Sequence, residues 1–263
     1  MIFDLHNDFP TVYAPERYKS YLEQCRVKNA VITGAIWTSE FKSDALARVK
    51  FITDSLRYKT APQKCYIAIE DIGFLAEGDA YKKFDFGPYI YCSLTWNYNN
   101  AFAGGALDNG VLTEKGKSVI DFINASSCAV DLAHLNKRSF YSVLEQARKI
   151  VCSHTGFNSH QRSLDDGQIH AIIERGGVIG LCTVTAFTGA SSCLEFEAII
   201  DRFVQKHGVD NLAIGTDFKG STDIPSDLAD YGAISVLNYN LRKRGYGEDD
   251  IKKIFFDNAT RIL

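Results

Sequence analysis

The stretch Ile2-Phe3-Asp4-Leu5-His6-Asn7-Asp8-Phe9-Pro10 opens the chain. An apolar run begins almost at the N-terminus and ends in His-x-Asp. On a strand, alternate side chains share a face, so His6 and Asp8 are expected to point the same way. They offer an imidazole nitrogen and a carboxylate oxygen, a donor mixture that suits zinc or a similar divalent ion. The pattern is common, and a partly buried pair at a strand end reads identically. Its meaning turns on whether later strands also end in ligands.

Outward from this stretch, a rhythm of apolar strand, polar turn and helix recurs without an exact repeat. Strands are predicted over 2–8, 29–37, 65–70, 89–95, 128–132, 149–153, 178–184 and 211–216. Helical spacing follows most of them: Val49, Ile52 and Leu56; Val119, Ile120 and Ile123 after an N-cap at Thr113; Phe140, Val143 and Leu144 after an N-cap at Asn136. Asp165-Asp166 opens a helix that Gly176-Gly177 ends, and Gly208 ends the next, whose stripe includes Phe196, Ile200 and Phe203. Two helices, about 227–243 and 249–263, close the chain. The segment 18–24 reads as a short helix and 97–110 as a Gly/Asn-rich loop. Eight near-continuous apolar strands with seven crossovers predict an α/β fold, a (β/α)8 TIM-like barrel, as a single domain over 1–263.

Composition narrows the function. The 263 residues are 46% hydrophobic and 23% charged, with a formal net charge of -3 and no Lys/Arg run that stands out as a basic patch, which argues against nucleic acid as a partner. Apolar stretches are strand-sized, too short for a membrane span. The first residues lack a basic region and a long apolar region, so a cytoplasmic location is expected. Seven cysteines, an odd number without Cys-x-x-Cys, fit buried thiols better than disulfides or zinc thiolates. Cys152 is the nearest candidate for a catalytic thiol, but its strand position favours packing.

In such barrels the chemistry sits at the C-terminal ends of the strands. Those ends carry His6 and Asp8, Glu70, His134, His154 and Asp217. Two half-sites sharing a carboxylate make a two-metal centre of the kind used in assisted hydrolysis. The expected division is His6, Asp8 and Glu70 on one ion, with Glu70, His134 and His154 on the other. A hydroxide bridging the two ions would be the nucleophile. Asp217, left without a necessary metal role, suits a general base that passes the proton to the leaving group.

The chain resembles the membrane (renal) dipeptidase family of dizinc peptidases, within the metal-dependent amidohydrolase superfamily. The resemblance is carried by Asp4-Leu5-His6-Asn7-Asp8-Phe9-Pro10, Ile69-Glu70-Asp71, Ser93-Leu94-Thr95-Trp96-Asn97, Gly110-Val111-Leu112-Thr113, Asp131-Leu132-Ala133-His134, Ser153-His154, the run Gln161 to Asp166, the run Ile173 to Gly180, and Ala213-Ile214-Gly215-Thr216-Asp217-Phe218. It implies a TIM-like barrel, two zinc ions bridged by Glu70, and hydrolysis of dipeptides, including those with a C-terminal D-residue. It implies that Arg162 holds the substrate carboxylate and that Trp96 lines the substrate site, where mammalian enzymes have a histidine. It also implies a homodimer for many members. Lys219 stands where the family has an acidic residue, and the stretch between Asp8 and Glu70 is short for the family. Two other readings stay open: a different amidohydrolase acting on cyclic amides, N-acyl amino acids or lactones, and an inactive barrel serving as a binding module.

Overall fold

In the computed structural model, which describes residues 1–41, 44–59 and 65–263, eight parallel strands pair in sequence order and close on themselves. They are Ile2–Asn7 (β1), Ala30–Trp37 (β2), Cys65–Glu70 (β3), Tyr91–Ser93 (β4), Ala129–Asp131 (β5), Ile150–Thr155 (β6), Val178–Leu181 (β7) and Leu212–Ile214 (β8). The architecture is the α/β barrel that the sequence predicts. Several ladders are shorter than the apolar runs that announced them. The run 89–95 contributes only three paired residues, because Ile72 and Asp71 bond to the Ser93 carbonyl and hydroxyl and draw the chain out of the ladder. By contrast β6 runs on through His154 and Thr155.

Helices cover the outside as predicted, with the predicted caps. Thr113, Asn136 and Asp165 accept from Gly116, Ser139 and Gln168 backbone N–H groups, the last within a capping box. Three places differ. The segment after β1 forms a short helix, Phe9–Val12, and a longer one, Tyr18–Val27. The β3–β4 crossover, where the sequence offers no helical spacing, is a kinked 3-10 segment, Gly73–Lys83, whose Phe74 packs on Phe84, itself against Phe86 and Tyr89. The predicted helix 249–263 is interrupted by a π-helical turn, Lys253–Asp257.

That C-terminal segment seals the N-terminal end of the barrel. Ala259 and Ile262 join Phe3, Leu5, Ala68, Tyr91, Ala129, Val151, Val178 and Ala213 in the interior cluster. Asn258 Nδ2 donates to the Val209 and Leu212 carbonyls, and Arg261 donates to the Asp210 and Gly176 carbonyls. Each large apolar side chain so buried contributes roughly 1.5–3 kcal/mol relative to exposure. Among the described residues no helix is long and apolar enough to cross a membrane.

Two irregularities decide what faces the open end. The β1–β2 register shifts between Asp4 and Asn7. Phe3 and Leu5 sit in the interior, while Asn7 turns outward to Tyr21 and Tyr231, so the shift lets His6 follow Leu5 inward. The β6–β7 register shifts between Cys152 and Thr155, and both Ser153 and His154 face inward. Such bulges re-aim side chains at the cost of regular pairing. The Ser153 carbonyl then needs room. A Cβ at Gly180 would stand 2.0 Å from it and one at Gly215 1.9 Å, so glycine at both positions accommodates the bulge.

Replacing Gly215 by alanine should therefore lower stability by about 1–3 kcal/mol or more. Urea denaturation checks this; an unchanged midpoint would mean that the Ser153 carbonyl is not packed against β8.

Candidate metal centre

His6, Asp8, Glu70, His134, His154 and Asp217 are all buried and converge at the C-terminal end of the barrel. Asp8 does not reach its place by strand alternation, as the sequence suggested. It lies beyond β1 as the N-cap of Phe9–Val12, and its N–H donates to the Phe218 carbonyl of the loop after β8. Asp217 N–H donates to the His6 carbonyl, completing the clasp between these ends. Gly220 lies under both carboxylates; a Cβ there would be 2.3 Å from Asp8 Oδ2 and from Asp217 Oδ1. His134 and Asp217 adopt φ of 65° and 62°, the left-handed region that costs a side chain of order 1 kcal/mol and that clusters at functional sites.

One carboxylate oxygen is shared by all three imidazoles. Glu70 Oε1 lies 2.6 Å from His134 Nε2, 3.5 Å from His154 Nε2 and 3.9 Å from His6 Nε2. His6 Nε2 is also 3.4 Å from Asp8 Oδ2 and 3.9 Å from Asp217 Oδ1. Two overlapping triads have ligand atoms close enough for one ion each: His6, Glu70 and His154, and His6, Asp8 and Asp217. The sequence-based division differs from these groupings in pairing His154 with His134 and in leaving Asp217 outside the ligand set. The other four proposed ligands nonetheless lie near Glu70.

Each imidazole is held from behind through Nδ1. The partners are Tyr91 Oη for His6, Asn97 Oδ1 for His134 and Ser153 Oγ for His154, each at 2.9 Å. Tyr91 gives its own proton to the Leu5 carbonyl, and Ser153 gives its proton to Asp131. These hydroxyls are thus acceptors toward the His6 and His154 rings, which donate at Nδ1 and turn Nε2 to the centre.

Such a concentration of buried acceptors is unfavourable without a cation. Burial, then the nearby Asp8 charge, pushes the Asp217 carboxyl up to about 8, and the same two causes raise Glu70 well above the usual range. Burial drives His134 and His154 well below the usual imidazole value. For His6, burial pulls down but Asp8, Glu70 and Asp217 outweigh it, raising the ring to about 10. His6 Nε2 and Asp8 Oδ1 are buried and find no hydrogen-bond partner among the described residues. The donor set is nitrogen and carboxylate oxygen, as a borderline dication prefers. The residues present fit a metal.

Arg162 is buried beside this cluster. Its Nη2 stands 3.0 Å from His154 Nε2, its Cζ lies 5.2 Å from the centre of the Phe187 ring, and its Nε has no partner. Trp96 packs on Trp37 at 5.0 Å and faces His134 at 6.0 Å between ring centres. With Phe187, Asn97 and Ser221 these rings line a cavity of about 140 Å³ above Glu70, His134, His154 and Asp217. Trp37 was missed, although it ends β2 and the strand-end rule reaches it. Phe187 sits in a connection without a pattern to mark it. Lys219 places its Nζ 5.9 and 5.8 Å from the Tyr13 and Tyr21 ring centres. Cys152 is buried in the outer layer with its thiol pushed well up by burial, which removes it as a nucleophile.

Residues 89–263 match the model of the membrane dipeptidase family, peptidase family M19. A relative described as an uncharacterized protein in the pqqA 5′ region of Klebsiella pneumoniae is 30% identical over 189 residues, which is 64% of this chain and 69% of that protein. Dipeptidase verJ of Clonostachys rogersoniana is 27% identical over 184 residues, 66% of this chain but 47% of that longer protein. Among solved structures, a metallo peptidase from Rhodobacter sphaeroides, liganded with a phosphinate mimic of the dipeptide L-Ala-D-Ala, superposes with a TM-score of 0.81 at 18% identity, covering 99% of this chain and 97% of that one.

The electrostatics predict how metal-free protein responds to pH. The Asp217 carboxyl rises from an ordinary 3.8 to about 8 on folding, so its contribution to stability is full below the unfolded value and is lost as pH rises through about 8. Glu70 and His6 act in the same direction. His134 and His154 oppose them only while the unfolded imidazoles are protonated, below about 6.5. The Tm of metal-free protein should therefore fall between pH 6.5 and 8, and added zinc should raise it most at the alkaline end. A flat metal-free profile would show that the cluster is not strained by its own charges.

Proposed function

The chain belongs to the membrane dipeptidase family, metal-dependent hydrolases of the peptide bond, and from that premise we propose that it cleaves dipeptides at a two-zinc centre built on Glu70. The observation that carries this reading is the approach of a single Glu70 oxygen to three imidazole nitrogens. A carboxylate so placed would serve as the shared ligand, with His6 and Asp8 holding one ion and His134 and His154 the other. Two divalent ions bound there would supply an acidified water and charge stabilisation for the carbonyl oxygen.

The remaining steps fall to side chains. Asp217 faces the cavity beside His6 and is spare after the metals have their donors, so its carboxylate takes the proton of the attacking water and returns it to the leaving amine. Arg162 is a planar donor with an unpaired Nε, suited to grip the substrate's C-terminal carboxylate in two parallel bonds. Engaging it requires the guanidinium to leave His154 Nε2, so loading of the centre and readiness of the carboxylate site are linked. Trp37, Trp96 and Phe187 form apolar walls around a small cavity. That favours dipeptides with small side chains, and the phosphinate mimic held by the Rhodobacter protein makes a C-terminal D-residue part of the proposed range.

The test is a panel of L,L- and L,D-dipeptides, N-acyl amino acids, cyclic amides and lactones, assayed with and without chelation. Free amino acids should appear from dipeptides, stop on chelation and return with zinc; turnover confined to non-peptides would overturn the substrate class. Asp217→Asn should keep its zinc while kcat falls about 10²–10⁴-fold, and unchanged turnover would remove Asp217 from proton transfer. Arg162→Ala should raise KM about 10–100-fold, from loss of charge-assisted bonds, and an unaltered KM would place the carboxylate elsewhere.

A further inference from the structure

We propose that Asp131, acting through Ser153, sets the tautomer of His154 and so decides whether that imidazole can hold a cation. The inference rests on the metal-centre reading above and adds to it a positioning residue that touches neither metal nor substrate.

Asp131 ends β5 and is buried. Its Oδ1 accepts two backbone N–H groups, from Ala133 at 3.0 Å and Ser153 at 2.9 Å. Its Oδ2 accepts the Ser153 hydroxyl at 2.5 Å. A serine hydroxyl has one proton to give. Donated to Asp131, that proton is not available to His154, whose Nδ1 lies 2.9 Å from the same oxygen. The ring must then be the donor at Nδ1, and Nε2 keeps its lone pair. At the other end of the ring the donor-only Arg162 Nη2, 3.0 Å from Nε2, fits the same polarity, while His134 Nε2 at 2.9 Å and Glu70 Oε1 at 3.5 Å also face Nε2, so the Nδ1 side decides the polarity. His134 is backed by an amide and His6 mainly by a phenol, with Ser153 Oγ more distant from it at 3.4 Å; His154 has Ser153 Oγ at 2.9 Å and so a carboxylate one hydroxyl away. A carboxylate behind a ligating imidazole fixes its tautomer and raises its basicity.

The bulge in β6 makes this relay possible. It sends consecutive residues, Ser153 and His154, to the same side, so a hydroxyl can stand directly behind its neighbour's ring.

Asp131→Asn separates the polarity of the relay from its packing. The substituted amide keeps a carbonyl oxygen for the two backbone N–H groups and replaces only the Oδ2 acceptor by an NH₂ donor. Ser153 must then accept from that amide and turn its own proton to His154 Nδ1. The ring moves its proton to Nε2, the atom that should bind the ion.

The experiment is nitrogen-resolved NMR of the imidazoles in the metal-free protein, together with zinc titration. Wild type should show His154 protonated on Nδ1. Asp131→Asn should show it protonated on Nε2, with zinc affinity down about 10–100-fold and a metal-free Tm within a few degrees of wild type. Adding Ser153→Ala to Asp131→Asn removes the misdirected donor and should recover part of the affinity, a rescue that a packing role does not predict. His154 carrying its proton on Nε2 in wild type overturns the proposal, whether or not the variants fold. So does Asp131→Asn with Nδ1 still protonated and zinc affinity within twofold. If wild type binds no zinc, the metal-centre reading fails, and the metal-free tautomers still decide the role of Asp131.

Discussion

The open end of the barrel is organised by a repulsion that the chain alone does not resolve. Three carboxylates and three imidazoles meet in a buried space, with Glu70 Oε1 within 3.9 Å of every ring nitrogen that faces inward. Removing such groups from water costs several kcal/mol per charge unless an opposite charge offsets it. Arg162 supplies part of that charge where its Nη2 meets His154. Asp8 Oδ1 and His6 Nε2 remain without hydrogen-bond partners among the described residues. A site of this kind is unfavourable when empty and favourable when it holds dications, which couples metal binding to stability.

The scaffold bears that cost through its regular parts. Eight parallel ladders, a layer of helices and the C-terminal plug over Phe3 and Val178 hold the interior, while the strained elements gather at the other end. The left-handed backbone of His134 and Asp217, the register shifts of β1 and β6, and the glycines at 180, 215 and 220 all lie where these side chains converge. Asp4 makes the corresponding clasp on β1 and β8. It accepts from the Thr216 N–H and hydroxyl and from Tyr231 Oη, and it fixes the strand pair that carries His6 and Asp217.

Much of this was legible in the sequence because the fold converts one rule into a site. Once the strands are counted, their C-terminal ends name His6, Glu70, His134, His154 and Asp217 without further information. What the sequence does not carry is register. A period of two places His6 opposite Leu5, yet the two side chains follow one another inward through a bulge that no apolar pattern announces. Asp8 does lie beside His6, but a turn and the loop after β8 place it there rather than strand alternation. Gly180 and Gly215 interrupt apolar strands and could have warned of a close backbone approach, though not of which carbonyl approaches. The Lys219 direction depends on Tyr13 and Tyr21, which lie two hundred residues away in sequence order.

The central claim is that Glu70 is shared between two ions, and anomalous diffraction from zinc-soaked crystals, recorded on both sides of the zinc absorption edge, tests it most directly. The account predicts two peaks flanking the Glu70 carboxylate, one on the His6 and Asp8 side and one on the His134 and His154 side. A single peak, or two peaks of which only one contacts Glu70, would contradict it.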